Sequence, residues 1–266
     1  MSRSQLEFAW RTDRGKVRVR NEDSVAVSED AGVVVIADGI GGASAGDVAS
    51  RLATDVIGDR LIGQPPSRVD SQSALLAARS AIKEADGAIH AHARQTPSCD
   101  GMGTTVVVGY FGDAWLAFAH VGDSRLYRLR NDELEQLTRD HSFIQEVVDQ
   151  GFFPDLSEAR HYGINQHVLT RAVGSETHSE PSSAATDLAA GDIYLFCTDG
   201  LSGMLSDKRL RRVLSSMADD LGATADSLVQ LACEKGGRDN ITLVLARVRS
   251  LSDGSGDLGQ ASNTVV

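Results

Sequence analysis

Five short apolar runs constrain this chain more than anything else in it: 32–37, Thr104 to Phe111, Ala114 to Val121, Asp192 to Thr198 and Asn240 to Val248. They are rich in β-branched and aromatic residues and bounded by Gly, Asp or Asn, which marks them as strands. Several are apolar continuously instead of alternately, so both faces of their sheets must be covered. Candidate covers are easy to find. Val48, Leu52 and Val56 pair with Ala49, Ala53, Ile57 and Leu61 in one helical stripe, and Leu75, Ala78, Ile82, Ala85 and Ile89 form a second. Gly63-Gln64-Pro65-Pro66-Ser67 breaks the two apart. Two later helices are expected, one opened by Ser206 and one by Thr224. The fold class predicted is α/β in the α+β sense: two packed, mostly antiparallel sheets with a helix pair outside each, an α-β-β-α sandwich.

One core suffices for 266 residues of which 41% are hydrophobic, and a single domain is expected over 1–250. Asn131-Asp132 reads as a hairpin turn. Ser142 to Gln166 is a polar insertion with a short helix around Ile144, Val147 and Val148, and 251–266 reads as a disordered tail. A net charge of -11 argues against nucleic acid or an anionic membrane as the main partner. No signal peptide or run of about 20 apolar residues is present, so a cytoplasmic protein is expected. Cys99, Cys197 and Cys233 lack metal or redox spacing and read as reduced thiols.

The ends of these strands carry the chemistry. Asn21-Glu22-Asp23, Asp38-Gly39, Gly122-Asp123-Ser124-Arg125, Thr198-Asp199-Gly200 and Arg238-Asp239-Asn240 are acidic signatures, and the last four sit beside apolar runs where a sheet could converge them. Two such charges about 5 Å apart repel by roughly 3 kcal/mol at an effective dielectric of 20, so something cationic must sit among them. Oxygen-only ligands select a hard divalent ion, Mg or Mn, and two such ions can activate water for attack on phosphorus.

The order of these blocks, with 15–23, Gly103-Thr104-Thr105 and Thr138-Arg139-Asp140-His141-Ser142, resembles the metal-dependent type 2C protein serine/threonine phosphatases in their short bacterial form, from Thr12 to about Arg249. The resemblance implies the same sandwich, a flap at about 142–166, and two Mn or Mg ions with a third bound weakly. It implies that Asp38 bridges the two metals, with the Gly39 carbonyl and Glu22 completing one site and Asp199 and Asp239 holding the other. Asp123 with Asp199 matches the weak third site, Asp23 hydrogen-bonds metal-bound water, and Arg18 grips the substrate phosphate. Thr104, Thr105 and Asn240 are read as supports. Ile40 stands where many animal relatives have a general-acid His, leaving that role to water or to another His. His120, His141, His161 and His167 lie in the middle of the chain, whereas His90 and His92 read as surface residues. The implied partners are phosphorylated proteins and a cognate serine/threonine kinase, with the chain acting as a monomer.

Rival chemistries fit less well. Cys233 to Arg238 leaves four residues between Cys and Arg where a thiol phosphatase loop needs five. Gly39 to Ser44 is a poor dinucleotide fingerprint, because Asp38 repels a pyrophosphate. A Gly-Asp-Ser hydrolase lacks its His-Asp pair. The alternative from another class is a catalytically weak, phosphoprotein-binding scaffold of the same fold, which would have lost ligands that this chain keeps.

Overall fold

The computed structural model describes residues 5–40, 45–63, 70–165, 167–175 and 180–251. Two antiparallel sheets stack on each other. The first has the order β1 (Gln5–Asp13), β11 (Ile241–Ser250), β10 (Ile193–Cys197), β7 (Arg125–Arg130), β8 (Glu133–Gln136). The second runs β2 (Asp23–Ser28), β3 (Val33–Ile40), β5 (Val106–Phe111), β6 (Trp115–Val121), β9 (Ser182–Asp187), with the short β4 (Gly103–Thr104) on the end of β3. Helices α1 (Gly46–Gly58) and α2 (Ser71–Gln95) cover the second sheet, and α6 (Asp207–Ser216) and α7 (Leu221–Glu234) cover the first. This is the α-β-β-α sandwich expected.

The continuous apolar runs are explained residue by residue. In β3, Val33, Val35 and Ala37 pack toward α1 and α2, while Val34 and Ile36 point into the layer between the sheets. In β10, Ile193, Leu195 and Cys197 serve the helix layer, and Tyr194 and Phe196 the inter-sheet layer. A side chain every second residue on each face therefore has to be apolar, at about 1.5–3 kcal/mol per large side chain buried. Gly109 fits the same layer from the other direction. A Cβ there would lie 2.4 Å from the Phe196 ring, so the space is taken by the opposite sheet.

Several details differ from the sequence reading. Helix α7 starts at Leu221, capped by the Asp220 carboxylate accepting from Ala223 N at 2.9 Å. Thr224 is instead buried in the first turn and donates back to the carbonyls of Asp220 and Met217. The strands β1, β2 and β9 escaped the apolar-run criterion because they are only half covered. The segment from Ser142 holds a second helix, α4 (Leu156–His161), capped by Asp155, besides the expected α3 (Phe143–Asp149). Asp199–Ser202 forms the one-turn α5. His90 is not simply on the surface: its side chain is 26% exposed and its Nε2 lies 3.7 Å from Asp86 Oδ1. Asn131 and Asp132 both take positive φ, 52° and 63°, as a two-residue hairpin turn requires. The three cysteines are unpaired. Positions 41–44, 64–69 and 252–266 lie outside the described residues, and with them most of the Gly39–Ser44 loop, the Pro65-Pro66 linker and the expected tail. Among the described residues no helix is long and apolar enough to cross a membrane.

Candidate metal centre

Antiparallel geometry gathers the acidic signatures at one edge of the sandwich. Asp23 opens β2 and lies directly opposite Asp38 near the end of β3, an arrangement that like charges disfavour. Asp123 follows β6, Asp199 follows β10, and Asp239 precedes β11. Arg18, Glu22, Asp38, Gly39, Asp123, Asp199 and Asp239 all line one cavity of about 510 Å3, together with Ile40, His167, Met204 and Arg238. Asp23 sits behind this wall, where its Oδ2 accepts a hydrogen bond from Thr198 Oγ1 at 3.0 Å.

The backbone beneath these side chains is fixed closely. Thr104 Oγ1 donates to the Asp38 carbonyl at 2.8 Å, and Thr105 Oγ1 accepts from Asp38 N at 3.1 Å. Asn240 clamps the loop that carries Arg18 and Glu22. Its Oδ1 accepts from Glu22 N at 2.8 Å, and its Nδ2 donates to the carbonyls of Arg14 and Arg20 at 2.9 and 2.8 Å. Gly39 is obligatory for packing, since a Cβ would stand 2.2 Å from the Gly46 carbonyl oxygen. Gly200 is tighter still, with the Asn240 carbonyl oxygen 1.8 Å from where its Cβ would be. The Asn240–Glu22 hydrogen bond ties the segment before β11 in the first sheet to the segment before β2 in the second.

Electrostatically the site is short of positive charge. The Asp38 carboxylate accepts no hydrogen bond among the described residues, and Asp23 Oδ1 is buried without a partner. Burial, followed by the repulsion of Asp23, Asp199, Asp123 and Asp239, holds the Asp38 carboxyl well above the ordinary carboxylate range. Burial likewise pushes Asp23 and Asp123 up to about 7, in each case with Asp199 adding to the effect. Glu22 is raised by burial, with Asp47 and Asp239 adding to it against Arg18. Two cations answer part of this charge. Arg18 donates to Asp239 Oδ2 at 2.6 Å, and His167 Nδ1 lies 3.7 Å from Asp199 Oδ2, a contact that raises its pKa. Arg18 thus stands on a loop and lines the cavity with its guanidinium engaged by an acidic residue. Among the described residues no three His, Cys, Asp or Glu side chains are drawn into a closed ligand group.

The cavity fits hard cations. Its donors are oxygens from both sheets, one acidic residue has a buried oxygen with no donor, and another has no donor at all. Of the histidines singled out, only His167 lines the cavity. His120 and His141, outside its lining, stack 4.6 Å apart, and burial lowers both, His141 to about 3. His161 is exposed on α4. Thr198 was missed by sequence reasoning, although a hydroxyl directly before Asp199 is a visible signal. Cys233 is no activated nucleophile, because burial and nearby Asp13 raise its thiol.

Comparison with known proteins agrees with this geometry. A family model described as protein phosphatase 2C matches residues 14–233. The serine/threonine protein phosphatase PstP of Mycobacterium tuberculosis is 36% identical over 243 residues, which is 91% of this chain but 45% of that protein. The chain thus spans about half the length of that relative. Serine/threonine phosphatase stp of Listeria innocua is 33% identical over 252 residues, 94% of this chain and 98% of that protein. The structure of the PstP catalytic domain in complex with two manganese ions superimposes with a TM-score of 0.79 at 36% identity, covering 91% of this chain and 97% of the other. The chain belongs to the protein phosphatase 2C family, as a member of its bacterial serine/threonine phosphatase branch.

Proposed function

We propose that the chain removes phosphate from phosphoserine and phosphothreonine in proteins, in the cytoplasm and as a monomer, opposing a serine/threonine kinase. The observation that carries this reading is Asp38, which faces Asp23 across β2 and β3 and lines one cavity with Glu22, Gly39, Asp123, Asp199, Asp239 and Arg18. Glu22, Asp38 and the Gly39 carbonyl would hold one divalent ion, Asp38 with Asp199 and Asp239 a second, and Asp123 with Asp199 a weaker third. When bound, Mn or Mg would supply Lewis acidity that activates water and offsets phosphoryl charge. The chain's own residues do the rest. Asp23, anchored by Thr198, orients water through its unpaired Oδ1. Arg18 exchanges Asp239 for two phosphoryl oxygens, which a planar guanidinium can bridge in parallel. His167 is the histidine at hand for the leaving oxygen. The scaffold alternative has no observation in its favour, because all four principal carboxylates are present.

The test is turnover of a phosphothreonine peptide by protein stripped with chelator. Activity should vanish and return with Mn or Mg. Full activity in a preparation shown metal-free by elemental analysis refutes the reading, as does a trapped phosphoenzyme.

A further inference from the structure

The acidic cavity shares one of its lining residues with a second depression. Met204 lines both the cavity and this surface groove of about 710 Å3. The floor of that groove is apolar, from Met204, Leu205 and Leu231, and its rim carries Arg209 and Lys235. Three residues beyond Lys235, Arg238 lines the acidic cavity itself. Lys16, from the loop between β1 and β2, packs against Gly237, its amide donating to the Gly237 carbonyl at 2.7 Å.

None of these four cations makes an ion pair among the described residues. That is informative in a chain with net charge -11, where positive charge is scarce. Some arginines elsewhere are matched to carboxylates, as Arg11 is to Asp226, Arg125 to Asp140, Arg130 to Asp192 and Arg211 to Asp132, whereas Arg209 and Lys235 stand together along one groove. The one carboxylate lining the groove, Glu234, accepts from Gln230 Nε2 at 2.8 Å. An apolar lining with two cations against one carboxylate, sharing Met204 with an acidic cavity, suits an extended peptide whose aliphatic atoms lie on Met204 and Leu231 while its carboxylates meet Arg209 and Lys235.

We propose that this groove receives the polypeptide flanking the phosphorylated residue and selects flanks that carry Asp or Glu. The proposal rests on the phosphatase reading above. It makes the enzyme selective for acidic phosphorylation sites even though the chain as a whole is acidic.

The experiment compares kcat/KM on two phosphothreonine peptides that differ only in having Glu or Gln on both flanks. The wild-type enzyme with Mn should favour the Glu peptide, and the ratio should fall toward one as salt rises from about 0.05 to 0.5 M and screening shortens. The double variant Arg209→Glu, Lys235→Glu should change the ratio by about tenfold, as expected for two exposed charge contacts reversed. Should that variant fail to fold, Arg209→Gln with Lys235→Gln should bring the ratio close to one. A ratio unchanged by either pair, or an equal loss on both peptides, overturns the proposal. So does a change of sedimentation mass in the variant, which would mark the groove as a contact between copies of the chain. Hydrolysis of p-nitrophenyl phosphate, which has no flanks, separates the two levels. If the wild type hydrolyses it but shows no peptide preference, only the groove assignment fails. If it hydrolyses nothing, the phosphatase reading fails first.

Discussion

Replacing Asp38 by Asn keeps the shape of the side chain and the two backbone hydrogen bonds that fix the strand end, while removing one charge. Its carboxylate accepts no hydrogen bond among the described residues, so the exchange sacrifices none of those contacts. Asp23 is its direct neighbour across the ladder, where Cα atoms stand about 4.5–5.5 Å apart. Two charges at about 5 Å repel by roughly 3 kcal/mol at an effective dielectric of 20, which bounds the relief from that pair. The sign with pH follows from the raised carboxyl. In the metal-free fold Asp38 keeps its proton where the unfolded chain has lost it. The native state then binds more protons than the unfolded one, and wild-type stability falls as pH rises above the ordinary carboxylate value, by at most about 1.4 kcal/mol per pH unit for one group. Asn does not titrate, so the advantage of Asp38→Asn should grow from pH 5 to pH 8. Calorimetric melting in chelator should show the variant a few degrees above the wild type at pH 7.5, at roughly 2–4 °C per kcal/mol. With Mn at about one hundred times Kd, the wild type should gain about 2.7 kcal/mol, and the variant should lose most of that gain together with activity. A large drop in the metal-free melting temperature would show Asp38 to be a structural turn residue. An undiminished rise with Mn would show that it is no ligand.

Arg18→Ala should lower kcat/KM on a phosphopeptide by about ten- to a hundredfold, the worth of one charge-assisted contact, while calorimetry finds Mn affinity nearly unchanged. Asp123→Ala should leave the tight metal pair bound in the same titration and reduce turnover on phosphoprotein; loss of the tight sites contradicts its assignment. Gly109→Ala forces a methyl toward the Phe196 ring and should cost about 1–3 kcal/mol in urea unfolding, with the cavity chemistry intact. Thr198→Val leaves Asp23 Oδ2 without its donor and should destabilise the fold by about 1–3 kcal/mol, whereas Thr198→Ser should restore it.

The strands buried on both faces were legible because burial on two sides leaves a continuous apolar run, as in Val33 to Ala37 and Ile193 to Cys197. The edge strands β1, β2 and β9 were not, since a half-covered strand has no such run to find. The cap of α7 was misread because Asp220 and Thr224 are both competent caps, and only packing decides which one reaches a free amide. The acidic cavity was legible as a set of residues, which motif order supplies. Its internal partnerships were not. That Arg18 lies against Asp239, that Thr198 holds Asp23 and that His167 reaches Asp199 depend on loop paths that no spacing rule fixes.

The pairing of β1 with β11 also sets when the cavity can exist. Leu6 is in register with Val248 and Trp10 with Val244, so the first strand described closes against the last. During synthesis Glu22 and Asp38 emerge early and must wait for Asp239 and Asn240, since Asn240 clamps the loop on which Glu22 sits. A ribosome-bound fragment ending before Asp239 therefore carries an acidic cluster short of one carboxylate, an unpaired β1 and an unclamped loop. Contacts of such sequence separation also form slowly. The cavity therefore assembles only after the segment from Asp239 through β11 has been made, and it forms in one step when that strand closes on β1.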